Sequence, residues 1–338
     1  MYDTTIATKL LGQLKAFLGR ISPHFHKPVA RFIGDMIYGI MVEKDVKLAS
    51  IVRALKEKTT PKKVEDRLSR MLSSEGLETG LHGVIASEGA RRVHKDTLII
   101  LDPSDVQKPY ARKMEYLAKV WDGSRGEVGD NLGYWGCMAV ACESGGRRPV
   151  PLHFRLWSAD SPGFVSENEE VKAVVDEITK HTKKRGIFVY DRGGDNIEFY
   201  RHFIEKGLDF IVRLKERHVR SWKRSVMCGE LAWQCRMRYR EVVTFDHHGK
   251  ERRVTVEFGV VPVRLPDIPG RLLHMVVARS VARMSFRIHE VPEFHVYAIA
   301  DGASDILKRG RRWRGFDPGE AEKSDEASLF AFFGLNTG

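Results

Sequence analysis

Two short apolar runs in this sequence each end in an aspartate, and this repeated pattern constrains the fold more than any other feature. Residues 97–101 precede Asp102, and residues 187–190 precede Asp191. Both runs are β-branched, aliphatic or aromatic and are too short for a buried helix, so each predicts a central β-strand. In open α/β sheets, ligands and catalytic groups collect at the carboxyl ends of such strands. We therefore expect the two carboxylates to share one edge of a sheet.

Paired aspartates at strand ends are typical of sites that bind two divalent cations. Such sites hold the ions about 4 Å apart, where one ion activates the attacking oxygen and the other stabilises the leaving oxygen. Carboxylate oxygens are ligands that Mg²⁺ and Mn²⁺ prefer. The pattern therefore predicts Asp102 and Asp191 as ligands of two Mg²⁺ or Mn²⁺ ions.

The first part of the chain carries a helical pattern with a basic side. Apolar residues recur at helical spacing in 29–41, 48–55 and 61–72, and Thr60 with Pro61 fits the start of the third helix. Its polar face carries Lys62, Lys63, Arg67 and Arg70. A helix that lies against DNA shows such a face. The pattern alone favours the alternative, a solvated face of a helical bundle.

The rest of the chain alternates strands and helices. Strands are predicted at 133–142 and 151–157, a helix after the capping box of Ser166 and Glu169, the Asp191 strand, a helix ending at Gly207, and a strand at 208–214. A β-hairpin at 241–260 and a strand at 271–279 follow. The sequence therefore predicts a mixed α/β (α+β) fold with a β-rich segment near its end.

The residues around both aspartates resemble the DDE transposases of the insertion sequence 4 family. The similarity rests on DRGGD at 191–195, FIVRLKER at 210–217, DGS at 122–124, and the residues Asp105, Lys108, Tyr110, Met114 and Glu115. It extends from about residue 28 to about residue 280. In that family the two aspartates close the first and fourth strands of an RNase H-like sheet, and the matches fall on Asp102 and Asp191. The resemblance implies four segments: a helical DNA-binding domain (1–90), an RNase H-like catalytic core (91–217), a β-rich insertion (218–281) and an atypical tail (282–338).

The family's third carboxylate has no clear counterpart in this sequence. Its glutamate follows the pattern Tyr, two residues, Arg, three residues, Glu, and none of the nine tyrosines has an arginine three positions later. The change of composition after about residue 280 indicates a truncation or a frame change. Glu326, followed by an apolar run, is predicted as the stand-in ahead of Glu320 and Glu322. The alternative, three solvated glutamates in a tail, is the one that the pattern favours.

Basic residues outside the first helices also point to a polyanion. The chain holds 56 Lys and Arg against 45 Asp and Glu, a formal net charge of +11, which favours phosphate contacts but equally fits a solvated surface.

Arg192 is predicted to orient Asp191 or a phosphate, with a salt bridge inside the fold as the alternative. A basic run interleaved with an aromatic predicts phosphate contacts for Arg217, Arg220 and Trp222, against the alternative of a packed tryptophan. The resemblance adds that Trp222 or Trp233 stacks on a flipped base. Asp105 and Asp195 are predicted to cap loops, or else to support the metal ligands.

Cysteine usage and hydropathy limit the remaining classes of protein. Cys137, Cys142, Cys228 and Cys235 form no C-x-x-C pair, so reduced and mostly buried thiols are expected. A zinc site that adds His247 and His248 lacks the usual ligand spacing. No run of about 20 apolar residues occurs, so the sequence predicts a cytoplasmic, nucleoid-associated protein without a membrane span.

These predictions describe a transposase with defined partners and two rivals. We expect a homodimer that binds the terminal inverted repeats of its element, cleaves a DNA strand, and joins the freed end to target DNA. The rivals are a catalytically dead DNA-binding remnant and an RNase H-like nuclease or resolvase. The missing third motif favours the first rival.

Overall fold

A computed structural model describes residues 2–108, 110–122, 127–142, 149–222, 224–247, 250–281 and 294–299. The chain divides into two units, Met1–Ile85 and Ala86–Gly338. The predicted tail, including Glu320, Glu322 and Glu326, lies outside the described residues, apart from the strand at 294–299. No helix in the described part of the chain is long and apolar enough to cross a membrane.

The first unit is helical, as the apolar spacing predicts. It contains α1 (Tyr2–Ile21), a 3₁₀ turn (Ser22–His24), α2 (Lys27–Glu43), α3 (Leu48–Leu55), α4 (Pro61–Leu72) and most of α5 (Leu77–Ala90). Helix α4 begins at Pro61 as expected, but the Thr60 side chain makes no capping hydrogen bond. The fixed φ of Pro61 is therefore the remaining signal for the start of α4.

The core of the first unit depends on a close approach of two helices. Ile33, Ile51 and Leu68 are buried, one each from α2, α3 and α4. Gly39 lies where α2 meets α3, and a Cβ atom built on it would stand 3.1 Å from Ile51 Cα. Because that neighbour is backbone, a larger residue at position 39 requires the two helices to separate.

The second unit begins with the predicted α/β core. Its elements are β1 (Leu98–Gln107), β2 (Ala118–Asp122), β3 (Glu127–Cys142), β4 (Val150–Trp157), α6 (Glu167–Thr182), β5 (Ile187–Tyr190), α7 (Ile197–Lys206) and β6 (Asp209–Arg213). Strand β3 pairs antiparallel with β4 and with β1, while β1, β5 and β6 run parallel. This is the RNase H-like strand order, and the predicted fold class is confirmed.

The β-rich segment extends the same sheet instead of forming a separate layer. After a hairpin of β7 (His218–Ser221) and β8 (Arg224–Met227) and the helix α8 (Cys228–Gln234), the chain forms β9 (Tyr239–His247), β10 (Lys250–Val263), β11 (Leu273–Val281) and β12 (Phe294–Ile299). Strand β12 pairs with β6 in the register Tyr297↔Arg213. The described residues therefore form one mixed sheet of ten strands and a separate two-stranded sheet of β7 and β8.

Helices α6 and α7 cover one face of this sheet. The Ser166 side chain accepts a hydrogen bond from the Glu169 backbone N–H, so α6 starts at the predicted cap. Phe203 of α7 stacks between Phe188 of β5 and Phe210 of β6, with ring centroids 5.7 and 5.3 Å apart. These aromatic contacts fix α7 against the two parallel strands that follow β1.

Strand β1 is longer than its sequence predicts. Pro103 is expected to close the strand after Leu101, yet pairing with β3 continues to Gln107. Pairing with β5 ends at Leu101, so beyond this point β1 has β3 on one side only. Proline is tolerated on edge strands because it has no N–H to donate. Asp102 therefore lies where parallel pairing ends and not where β1 ends.

Two glycines in the first unit should respond oppositely to the same substitution. Gly39→Ala should lower the free energy of unfolding by about 1–3 kcal/mol, since the added methyl group overpacks the contact with Ile51. Gly12→Ala in α1 should raise it by about 0.5–1 kcal/mol, because alanine favours a helix and nothing lies within 4 Å of its Cβ. Urea titration followed by circular dichroism measures both. Equal effects would contradict the described α2–α3 contact.

Candidate active site

The sheet places the two predicted aspartates side by side. Leu101 of β1 and Tyr190 of β5 are partners in the parallel register, and Asp102 and Asp191 are the residues that follow them in the chain. Neighbouring strands lie about 4.8 Å apart. The backbone positions of Asp102 and Asp191 are therefore neighbours where the parallel strands β5 and β6 end.

Asp191 is a largely buried carboxyl group, and burial disfavours its charged form. Burial raises the pKa of Asp191, while the Gly193 hydrogen bond and the charges of Arg213, Lys215 and Arg192 oppose that rise. The Gly193 backbone N–H donates to Asp191 Oδ1 at 2.9 Å and fixes the orientation of the carboxylate. A bound cation would offset the cost of burying this charge.

The charge of Asp102 acts on two neighbouring buried groups, the Cys137 thiol and the Tyr190 phenol. Burial raises the pKa of Cys137 to about 12, and the neighbouring charge of Asp102 adds to the rise. The pKa of Tyr190 is also raised, first by burial and then by the charges of its neighbours, which include Asp191, Glu167 and Asp102. Three carboxylates therefore act electrostatically on one buried phenol.

Glu167 is the functional candidate that sequence reasoning missed. A cleft beside Asp191 is lined by Pro103, Trp157 and Tyr190, and also by Glu167 and Asn168 in the first turn of α6. The capping box at Ser166 predicts that Glu167 opens a helix. The sequence gives no signal that this turn faces the end of β5, because that depends on how α6 packs.

The aspartate pair fits a hard divalent cation, although it does not form a closed site. Carboxylate oxygens suit Mg²⁺ and Mn²⁺, and the buried Asp191 has a charge that a cation would stabilise. In the described ranges, no three His, Cys, Asp or Glu side chains group as a ready metal site. Mg²⁺ usually keeps several waters, so two protein carboxylates leave positions for water and substrate oxygens.

The cysteines are thiols, as predicted. Cys137, Cys142 and Cys228 are buried and Cys235 is half-buried, all four of them unpaired by disulfides. Burial raises the pKa of each thiol, which disfavours the thiolate that zinc requires. His248, one of the two histidines of the zinc alternative, lies outside the described residues.

Asp195 and Arg217 are bound to each other, and contact of Arg217 with DNA stays a prediction. The Asp195 side chain is 1% exposed and accepts hydrogen bonds from Tyr200 Oη at 3.0 Å, from the Lys215 backbone N–H at 2.7 Å, and from the Arg217 guanidinium. Arg217 also lies 3.5 Å from Asp267. Asp195 thus performs the predicted loop-fixing role, and Arg217 is engaged inside the protein.

Arg192 and Asp105 lie near the aspartate pair. Arg192 opens the 3₁₀ turn Arg192–Gly194 directly after Asp191, and its charge lowers the pKa of that aspartate. Asp105 lies on β1 opposite Trp135 of β3. The role of Arg192 in orienting Asp191 or a phosphate stays a prediction, as does support of the metal ligands by Asp105.

The β7–β8 hairpin presents an aromatic side chain to solvent. Trp222 follows β7 at the turn, has a left-handed φ of 56°, and is 90% exposed. Arg220 and Arg224 beside it are also exposed. The alternative of a packed Trp222 is therefore wrong. Trp233, on α8, is 58% exposed, so Trp222 is the more accessible of the two tryptophans.

The basic face of α4 is smaller than predicted. Lys62, Lys63 and Arg70 are exposed, and Lys62 lies 3.1 Å from Asp66. Arg67 instead bridges Asp35 at 2.9 Å and Glu57 at 2.6 Å, with its side chain 28% exposed. These ion pairs join α4 to α2 and to the connection between α3 and α4, and contact of Arg67 with a phosphate stays a prediction.

The comparisons with known proteins include a distant structural likeness. No protein-family model matches the sequence, and no curated protein matches it. Among solved structures, a piggyBac transposase in a synaptic complex with hairpin DNA aligns at 10% identity with a TM-score of 0.37. The alignment covers 88% of this chain and 59% of that one. At this TM-score the likeness adds no weight to the strand order described above.

The burial of Asp191 predicts that neutralising it stabilises the fold. A carboxyl group with a raised pKa binds its proton more tightly when folded, so stability falls as pH rises through that pKa. Asp191→Asn should therefore raise Tm at neutral pH by about 2 °C or more. Mn²⁺ should raise the Tm of the unmodified chain but not that of the variant. The exposed Asp160→Asn is the control, and a variant that matches it in both measurements would contradict the buried site.

Proposed function

We propose that this chain is a DDE-type transposase of the insertion sequence 4 kind. It would cleave DNA at the terminal inverted repeats of its element and transfer the freed strand to target DNA. The observation that carries the proposal is the neighbouring backbone positions of Asp102 and Asp191, where parallel pairing of β1 and β5 ends. An RNase H-like sheet with two acids at this edge suits in-line attack at phosphorus, and both steps are that one reaction.

The residues of the edge have separate roles in this chemistry. Asp102 and Asp191 would hold the Mg²⁺ or Mn²⁺ ions, which, when bound, supply water activation and leaving-group stabilisation. The Gly193 N–H holds Asp191 in one orientation. Arg192 would meet a phosphate oxygen, because a guanidinium suits paired oxygens. The buried contacts of Asp195 hold the loop that carries these groups.

A third carboxylate would complete the ligand set, and two candidates exist. Glu326 stays a prediction outside the described residues. Glu167 lines the cleft with Asp191, so it is our preferred candidate in the described chain. If neither contributes, the ions bind weakly and catalysis is slow. The DNA-binding remnant is kept as the second function because no three ligand side chains group in the described part of the chain.

DNA would be held by exposed cations on two elements, one in each unit. Lys62, Lys63 and Arg70 of α4 are exposed, and Arg220 stands beside the accessible Trp222 at the β7–β8 hairpin. Exposed cations gain from the release of counterions, and an exposed indole can stack on a base. A homodimer on two element ends, in the nucleoid, completes the proposal.

Removing either aspartate should separate binding from cleavage. Asp102→Asn and Asp191→Asn keep their size and should leave DNA affinity near normal while strand nicking with Mg²⁺ or Mn²⁺ falls by about 100-fold or more. Glu167→Gln should reduce nicking if it is the third ligand. Nicking of a duplex with the element's terminal repeat measures all three, with Asp160→Asn as the charge-matched control. Undiminished nicking by either aspartate variant would refute the proposed site.

The α4 cations should control the salt dependence of DNA binding, with Arg67 as the exception. Lys63→Gln with Arg70→Gln should flatten the plot of log affinity against log salt by about 0.9 for each phosphate that the protein no longer neutralises. Arg67→Gln should instead lower Tm, since it breaks the bridge between Asp35 and Glu57, and should leave the slope unchanged. Fluorescence anisotropy at several salt concentrations gives the slopes. An unchanged slope in the double variant would place the DNA elsewhere.

A further inference from the structure

Strands β1 and β3 continue past the catalytic edge. Strand β5 ends at Tyr190 and β6 ends at Arg213, but β1 continues from Asp102 to Gln107 against β3. Strand β2 pairs with the part of β3 that lies further out, in the register Ala118↔Gly133. We call this projection of residues 102–107, 118–122 and 127–138 the arm. Its first residue is one of the two site aspartates.

The loop 108–117 joins β1 to β2 at a defined distance from the site. Gln107 is five positions after Asp102, which at about 3.4 Å per residue places the loop about 17 Å from the aspartate. Successive nucleotides of a B-DNA strand advance by about 3.4 Å. A strand that follows the arm from Asp102 would therefore reach the loop after about five nucleotides.

The exposed side chains of the loop fit a nucleic-acid strand. Lys108, Arg112 and Lys113 are exposed cations, and Glu115 is the one carboxylate of the segment. Tyr110 is 95% exposed. Cations beside an accessible aromatic ring combine phosphate attraction with base stacking, which is how single strands are bound without regard to sequence.

Hydrogen bonds hold the described part of this loop, residue 108 and residues 110–117, in place although most of its side chains are exposed. The Lys108 backbone N–H donates to Leu132 O at 2.8 Å, and the Ala111 N–H donates to Lys108 O at 2.9 Å. Further along, Tyr134 Oη donates to Glu115 O at 2.6 Å. A segment that is already ordered loses less entropy when it binds a partner. Because hydrogen bonds anchor the loop on both sides of Tyr110, the fold itself holds this side chain in its exposed position.

We propose that the loop 108–117 binds a DNA strand about five nucleotides from the scissile bond. Lys108, Arg112 and Lys113 contact phosphates, and Tyr110 stacks on a base or sugar. The spacing rests on the proposed function, whereas the binding of DNA by the loop does not require cleavage. The loop thus sets the path of the DNA strand that enters the site.

A charge-matched pair of variants tests the binding. Arg112→Gln with Lys113→Gln removes two exposed cations from the loop. Lys183→Gln with Lys184→Gln removes two exposed cations before β5, at the opposite end of the parallel strands from Asp191. The full-length proteins are titrated with a fluorescein-labelled duplex of mixed sequence at several salt concentrations. The loop variant should lower the salt slope by about 1.8, and the control should leave it unchanged. Equal slopes in the two variants would overturn the proposal.

The proposed stacking of Tyr110 on DNA is tested by a second binding experiment. With a labelled single strand as the probe, Tyr110→Ala should weaken binding by about tenfold, and Tyr110→Phe should keep it because the ring remains. Circular dichroism confirms that each variant folds. Equal weakening by both variants, or by neither, would remove Tyr110 from the surface.

The spacing is tested separately from the binding. A photo-crosslinking residue at position 110 should attach to a duplex about five nucleotides from the position of the nick. A crosslink next to the nick would overturn the path along the arm. Loss of binding in the loop variant without any nicking by the unmodified chain would support the loop and refute the proposed transposase, so the two failures are distinguishable.

Discussion

Parallel pairing of β1 with β5 in a single register is the constraint on which the candidate site depends. Leu101 and Tyr190 are buried partners, and the residue after each is an aspartate. A slip of one residue would turn Leu101 away from the helices that cover it, so the packed face resists the slip. The same packing therefore holds the backbone positions of Asp102 and Asp191 side by side.

A buried ion pair fixes the loop that carries the second aspartate. Asp195 ends the turn that begins at Asp191, and it is bound by Tyr200, by the Lys215 backbone and by Arg217. Burying such a pair contributes little net stability, since both ions lose their hydration. Its effect here is geometric, because it ties the loop after β5 to the loop after β6. With the Gly193 hydrogen bond, both ends of the turn are held.

Local sequence patterns were enough to predict the strands and the helix cap. Contacts between residues far apart in the sequence could not be predicted in this way. The Asp102 and Asp191 strands and the Ser166 cap follow from short apolar runs and one capping box. Arg67 lies 32 residues from Asp35, and Arg217 lies 22 residues from Asp195. No periodicity connects residues so far apart, so the ion pairs of both arginines could not be predicted from the sequence. For the same reason, the docking of β12 against β6 had no signal in the sequence.

The net charge of the chain overstates the cationic surface that a polyanion can use. Glu257 accepts hydrogen bonds from both Arg240 and Arg279, and Glu57 binds both Arg31 and Arg67. Each of these arginines counts toward the formal charge of +11, yet each already has a carboxylate partner. Binding by counterion release depends on exposed cations that can reach phosphates. The effective surface is thus set by cations on projecting elements, such as the β7–β8 hairpin and the loop after β1, and not by composition.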